Sequence, residues 1–277
     1  MNSVIKNVAR QIPVLTKILH AYRLAKYKQH PIPWSVGYAE FKWQLIEKLL
    51  TIGSMPSEPF GQGIDERVVE YLWAMKLLPK SNSRIWDAGS AMNFPQLLGR
   101  LKDNSLYITT LFPEWHCQYY DGISYTYEDL RGVSFRGDFF DYIVSISTIE
   151  HIGFNNRRYC KWESKACDNK EGDYIDVLME FKRVLKAGGV LLISVPFGKH
   201  QVYDNFQVFD CSMVKQMARL FTPGSFNFEV YKYTPSGWIM VDPQECSETE
   251  YCLFDKIPAS DGAAGARAVA LIKLIKA

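Results

Sequence analysis

The chain has 277 residues, 47% of them hydrophobic, and a net charge of +2, enough to bury the core of one large domain with an appendage. So even a balance argues against a dedicated nucleic-acid binder, whose basic residues are in excess along one face. The six cysteines, at 117, 160, 167, 211, 246 and 252, show neither CxxC nor a Cys/His metal spacing, so reduced structural thiols and no metal site are expected.

Charge is unevenly spread. Residues 1–38 hold Lys6, Arg10, Lys17, Arg23, Lys26 and Lys28 and no acid, which leaves 26 basic against 30 acidic residues in the rest. Arg10, Pro13 and Lys17 interrupt the early apolar residues, so no secretory signal is expected, and no run approaches the ~20 apolar residues that span a bilayer. The expected location is the cytoplasm. From Pro13 onward, Leu15, Ile18, Leu19, Tyr22 and Ala25 recur at helical spacing, giving an amphipathic basic helix. Two kinds of contact stay open for it: the main domain or a second subunit, and an anionic membrane surface.

The Pro-Ile-Pro run at 31–33 ends that helix, and a second helical pattern covers about Tyr38 to Leu50. A Gly/Pro/Ser-rich link, 53–63, then divides an N-terminal helical arm (1–62) from an α/β domain (63–277). Residues 65–78 read as a helix with Val68, Leu72, Met75 and Leu78 as its stripe. Strand-like segments follow at Arg84–Trp86, Tyr107–Leu111, near Ile123, at Asp141–Ser147 and at Gly189–Val195, with a helix over 177–185 before the last. Strands alternating with helices imply a doubly wound, mostly parallel sheet. The runs at 227–233 and 268–276, separated by a long connection, suit a closing antiparallel pair.

Several polar corners fall at the carboxyl ends of these strands, where open α/β sheets bind ligands. Asp87 is followed by Ala88, Gly89, Ser90 and Ala91, small residues that let backbone approach a ligand. Asp129 follows the third strand, Ser147 and Glu150-His151 the fourth, and Lys186-Ala187-Gly188-Gly189 precedes the fifth.

This set resembles the class I S-adenosylmethionine-dependent methyltransferases, in particular small-molecule enzymes with an LPF…FD…EH…LKPGG pattern. The matching residues are Val133-Ser134-Phe135, Phe140-Asp141, Glu150-His151 and Leu185-Lys186-Ala187-Gly188-Gly189. The resemblance covers about residues 66–277 and implies a seven-stranded Rossmann-like sheet with a C-terminal antiparallel pair. It also implies S-adenosyl-L-methionine as cofactor and a small-molecule acceptor, a sugar or sugar nucleotide in bacterial polysaccharide synthesis. By the same resemblance, Asp87, Ala88, Gly89, Ser90 and Ala91 form the loop beneath the methionine and ribose, Asp129 meets the adenine amino group, Leu130 flanks the ring, and Ser147 joins the cofactor set. The family's acid at the end of the second strand falls near Thr109 and Thr110, with Glu114 as its nearest substitute. Gly89, Ala91 and Asn93 stand where the family usually has three glycines.

His151 is the candidate general base, the only side-chain type whose ordinary pKa lies near neutrality. Glu150 is expected to orient the corner or the cofactor's amine, and His200 is a second candidate base. The polar and aromatic segment 154–173, with Arg157, Arg158, Tyr159 and Trp162, suits acceptor selection, as do Trp115, Tyr119 and Tyr120. Two other readings stand beside this one. The eroded glycines suit a non-catalytic relative, an assembly or regulatory protein; a nicotinamide-dependent oxidoreductase lacks the GxGxxG it would need after the first strand.

Overall fold

The computed structural model describes residues 13–29, 35–114, 117, 122–156, 171–253, 256, 261 and 265–277. Trp115, Tyr119, Tyr120, Arg157, Arg158, Tyr159, Trp162, Cys160 and Cys167 lie outside the described residues. No helix among those described is long and apolar enough to cross a membrane.

Three helices lead into the sheet: α1 (Pro13–Gln29), α2 (Val36–Ile52) and α3 (Arg67–Leu77). The Ser35 hydroxyl accepts the Tyr38 amide to start α2, and Gly53, at φ +77°, ends it, the usual pairing of a hydroxyl N-cap with a left-handed glycine terminator. The remaining elements are β1 (Ser81–Ala88), α4 (Pro95–Leu101), β2 (Asp103–Thr110), β3 (Ile123–Tyr127), β4 (Phe140–Ile146), α5 (Tyr174–Val184), β5 (Leu185–Pro196), β6 (Gln201–Val202), β7 (Gln207–Val208), α6 (Cys211–Phe221), β8 (Pro223–Thr234), β9 (Gly237–Val241) and β10 (Ala268–Lys276).

The main sheet runs β3-β2-β1-β4-β5-β10-β8-β9. The first five are parallel to one another, whereas β10 is antiparallel to β5 and β8, and β8 to β9. This is a Rossmann-like arrangement with its order reversing at β1/β4. The expected count of seven strands is corrected to eight. The additional strand is β9, whose four apolar residues Trp238, Ile239, Met240 and Val241 are hidden between Pro235 and Asp242 in sequence; Thr234 pairs with Gly237 across a tight reversal, so the expected long connection opens with a hairpin and runs on from Asp242 to Arg267.

Strand alternation splits the core into two layers, because successive side chains point to opposite faces. On β1, Trp86 and Ala88 face a layer containing Phe140, Phe181 and Met217, while Ile85 faces a layer containing Val68, Leu72 and Trp238. On β10, Ala268, Ala270, Ile272 and Leu274 join the first layer, and Val269 and Leu271 the second. Ile46 and Leu49 of α2 also enter the second layer, so α2 packs onto the same face as α3.

Candidate functional site

The corner after β1 is built around two acids. Asp87, buried at the strand's carboxyl end, accepts the Met92 amide at Oδ2 (2.8 Å), closing the turn ahead of α4. Its Oδ1 is buried with no hydrogen-bond partner of standard geometry. Burial pushes its pKa from 3.8 up to about 7, with Glu114 adding repulsion and the Met92 and Ala91 amides pulling the other way; desolvation disfavours the charged form. Glu114, four residues past β2, folds back over this corner. It accepts Ser90 Oγ at 2.7 Å and Asn93 Nδ2 at 3.0 Å, and the Tyr125 hydroxyl donates to Asn93 Oδ1 at 3.0 Å. Ser90, at φ +60°, is held in the left-handed region by this arrangement. Asn93, which departs from the glycine pattern, therefore holds the Glu114 carboxylate over this corner together with Ser90. Thr109 is buried between Trp86 Nε1 and Thr126, whereas Thr110 is partly exposed.

The corner after β4 is covered by α3. Glu70 of that helix is fully buried, with Oε1 accepting the hydroxyls of Ser147 (2.7 Å) and Ser194 (2.6 Å) and Oε2 paired with Arg67. One helical carboxylate thus ties the ends of β4 and β5 together. Glu150, in the 3-10 turn Ile149–His151, is 3% exposed, and its Oε2 has no hydrogen-bond partner among the described residues. Burial pushes its pKa well above the ordinary carboxyl value; Glu70 and Glu66 add repulsion that Arg67 partly offsets. The Glu66 carboxyl is likewise pushed up to about 7 by desolvation, then by Asp65 and Glu70, although part of the residue reaches solvent.

His151, the residue after Glu150, is fixed by a backbone carbonyl. Its Nδ1 donates to the Asn205 carbonyl (2.6 Å), since a carbonyl oxygen only accepts, so the neutral ring carries its lone pair on Nε2. Burial and then Arg67 lower its pKa, against the opposing effect of the Asn205 bond. A neutral imidazole of fixed tautomer is the form a general base requires.

The helices α2 and α3 contribute to the roof over these corners. The Tyr71 hydroxyl donates to the Ala91 carbonyl at 2.9 Å, and Trp43 of α2 stacks on Tyr71 with ring centres 5.7 Å apart. Lys42 pairs with Asp65 at 2.9 Å. Glu66, Arg67, Glu70 and Tyr71 escape sequence reasoning because a charged run opening an apolar-striped helix reads as a solvated first turn.

The remaining sequence candidates are placed differently. Both carboxylate oxygens of Asp129, beyond β3, accept from Arg131, which also reaches Asp173; burial pushes the Asp129 pKa up, but the Arg131 bonds outweigh it and hold it low. Leu130 is buried in the first core layer. Ala88 is also buried there. The open side of Gly89 is occupied by Thr148, whose Oγ1 lies 2.1 Å from where a Cβ would be. Exposed His200 is bound by the Val208 carbonyl and Glu171. Two adjoining clefts, of about 540 and 300 Å³, lie at the opposite end of the sheet around Asn82, Ser83, Asp141 and Lys186.

No protein-family model matches the chain, and no curated protein matches it significantly. Among solved structures it is similar to a Burkholderia thailandensis 1,6-didemethyltoxoflavin-N1-methyltransferase with bound S-adenosylhomocysteine, at 11% identity and TM-score 0.45, over 71% of this chain and 72% of that one. It is similar to the [4+2]-cyclase SpnF at 14% identity and TM-score 0.47, over 84% and 93% of the two chains. A Haemonchus contortus phosphoethanolamine N-methyltransferase with S-adenosylhomocysteine is similar at 14% identity and TM-score 0.47, over 89% of this chain and 61% of that one.

Proposed function

We propose that this protein is an S-adenosyl-L-methionine-dependent methyltransferase acting on an oxygen or nitrogen of a small acceptor, with a sugar or sugar nucleotide as the acceptor class carried from the sequence resemblance. The observation that supports it best is the pair of buried, unpartnered carboxylate oxygens, Asp87 Oδ1 and Glu150 Oε2, at the carboxyl ends of β1 and β4, with a neutral histidine beside the second. Buried polar atoms are normally satisfied, and two orphaned acids at a topological switch point suit a ligand that brings cationic donors.

The residues present fit that cofactor at its polar groups. Asp87 and Glu150 suit its ammonium, Glu114 its ribose hydroxyls, Asp129 its adenine amino group. Bound there, it supplies an electrophilic methyl on a sulfonium. The protein's own share is to position the acceptor, to exclude water beneath α3, and to receive the acceptor's proton at His151 Nε2, a step contributing about 10²–10⁴-fold.

A second reading rests on Thr148. Its side chain fills the space over Gly89, which favours a non-catalytic relative with weakened cofactor binding. Calorimetric titration with S-adenosylhomocysteine, with NADH as control, separates the two. Micromolar binding of the first alone supports the enzyme; no binding into the millimolar range overturns it.

A further inference from the structure

The outer face of α1 is an apolar stripe bordered on both sides by lysines. Ile18 and Tyr22 are 59% and 63% exposed, and Ala21 and Ala25 are exposed between and beside them. At 3.6 residues per turn these four share one face, with Lys17 and Lys28 along one border and Lys26 along the other. All three lysines are exposed.

The opposite face fixes α1 to the body of the protein. Arg23 pairs with Glu40 at 3.2 Å, Gln44 Nε2 donates to His20 Nε2 at 2.7 Å, and Tyr27 packs against Tyr38 and Phe41. Gly37 allows the close approach: a Cβ there would lie 2.8 Å from that of Tyr27. The 17-residue helix, ~25 Å long, is therefore presented with its stripe outward.

We propose that this face docks onto an anionic lipid bilayer, with Ile18 and Tyr22 entering the interface and the lysines meeting headgroups. Charge selects this occupant: residues 1–38 carry six basic residues and no acid. A second copy would set these like charges against each other. Lysines on both borders of a narrow apolar stripe match a flat anionic plane, the geometry of interfacial helices. The inference does not depend on methyl transfer.

Flotation of the full chain with phosphatidylcholine vesicles, with and without phosphatidylserine, tests it. Binding is expected only to the anionic vesicles at low salt, and to fall about tenfold or more in high salt. A comparable loss is expected for Ile18→Gln with Tyr22→Gln and, separately, for Lys17→Gln with Lys26→Gln and Lys28→Gln, each checked for native circular dichroism. Equal behaviour with neutral and anionic vesicles overturns the proposal, as does undiminished flotation of both variants. So does a dimer in sedimentation equilibrium that the Ile18/Tyr22 variant dissociates, which would assign the face to a second copy.

Discussion

Thr148 stands over Gly89 so closely that a Cβ on the glycine would lie 2.1 Å from the threonine hydroxyl oxygen. β1 and β4 are neighbours in the sheet, and their carboxyl-terminal corners meet at this contact. Gly89 also sits at φ +123°, where an L side chain is strained. Gly89→Ala is therefore expected to cost about 2–4 kcal/mol from strain and overpacking together. Adding Thr148→Ala should return about 1–2 kcal/mol. Urea denaturation of the two single variants and the double variant measures this; a strictly additive cycle would show that the contact is not responsible.

Glu70 holds Arg67, Ser147 and Ser194 at one buried point. Glu70→Ala leaves a guanidinium without its partner and should cost about 3–5 kcal/mol. Glu70→Gln keeps an acceptor for the two hydroxyls and should cost clearly less. Equal losses in denaturation midpoint would place the stabilisation in packing rather than in the polar cluster.

Three acids are held more readily protonated in the fold than outside it: Asp87 and Glu66, each pushed up to about 7, and Glu150, raised well above its ordinary value by burial. Such groups bind more protons in the native than in the unfolded state, so the stabilisation from Asp87 and Glu66 is complete below about pH 4 and is lost as the pH rises through about 7, and Glu150 acts in the same direction. His151, held low, works in the other direction: its contribution is present above its unfolded value of 6.5 and is lost as the pH falls below it. Asp87→Asn removes one of the acid terms and should raise stability at pH 8 by up to ~4 kcal/mol, with little change near pH 4. Denaturation across pH 4–8 decides it, and a variant curve parallel to that of the parent counts against a protonated Asp87.

The same substitution should have the opposite sign for binding. If Asp87 receives the ammonium of S-adenosylhomocysteine, losing a charge-assisted hydrogen bond of about 1.5–3 kcal/mol weakens affinity roughly tenfold to 150-fold. The parent's affinity should also decline as the pH falls below about 7. An Asn variant that is stabler at pH 8 yet binds as tightly as its parent would remove Asp87 from the ligand site.

His151 is expected to be neutral at pH 7 with its proton on Nδ1, the nitrogen facing the Asn205 carbonyl. Long-range ¹H–¹⁵N correlation spectra report the tautomer directly. A ring protonated on both nitrogens at pH 7 would exclude it as the base.

The strand alternation was legible because each β-strand repeats a local two-residue period, and Ile85 and Trp86 alone announce two buried faces. Asp87, Ser147, Glu150 and His151 were legible as corner residues for the same reason: each lies at or within five residues of the carboxyl end of an apolar strand. β9 was not, since Trp238 to Val241 is too short a run to stand out between Pro235 and Asp242. Asp129 reads in sequence as a polar residue after a strand; its engagement by Arg131 depends on side-chain geometry that no spacing encodes.

By itself the sequence determined the strand-and-helix alternation from β1 to β5, the alternating faces of single strands and the lysine-bordered stripe of α1, all of which follow from periodicities within single elements. Only the tertiary structure decided that Glu70 would be buried against Ser147 and Ser194, 77 and 124 residues away, that Glu114 would fold onto Ser90 and Asn93, and that Thr148 would cover Gly89. The physical reason is that desolvation and hydrogen-bond satisfaction are set by whatever the fold brings within a few ångströms, and a charged residue at a helix start carries no local mark of whether water or a β-strand end will be its neighbour.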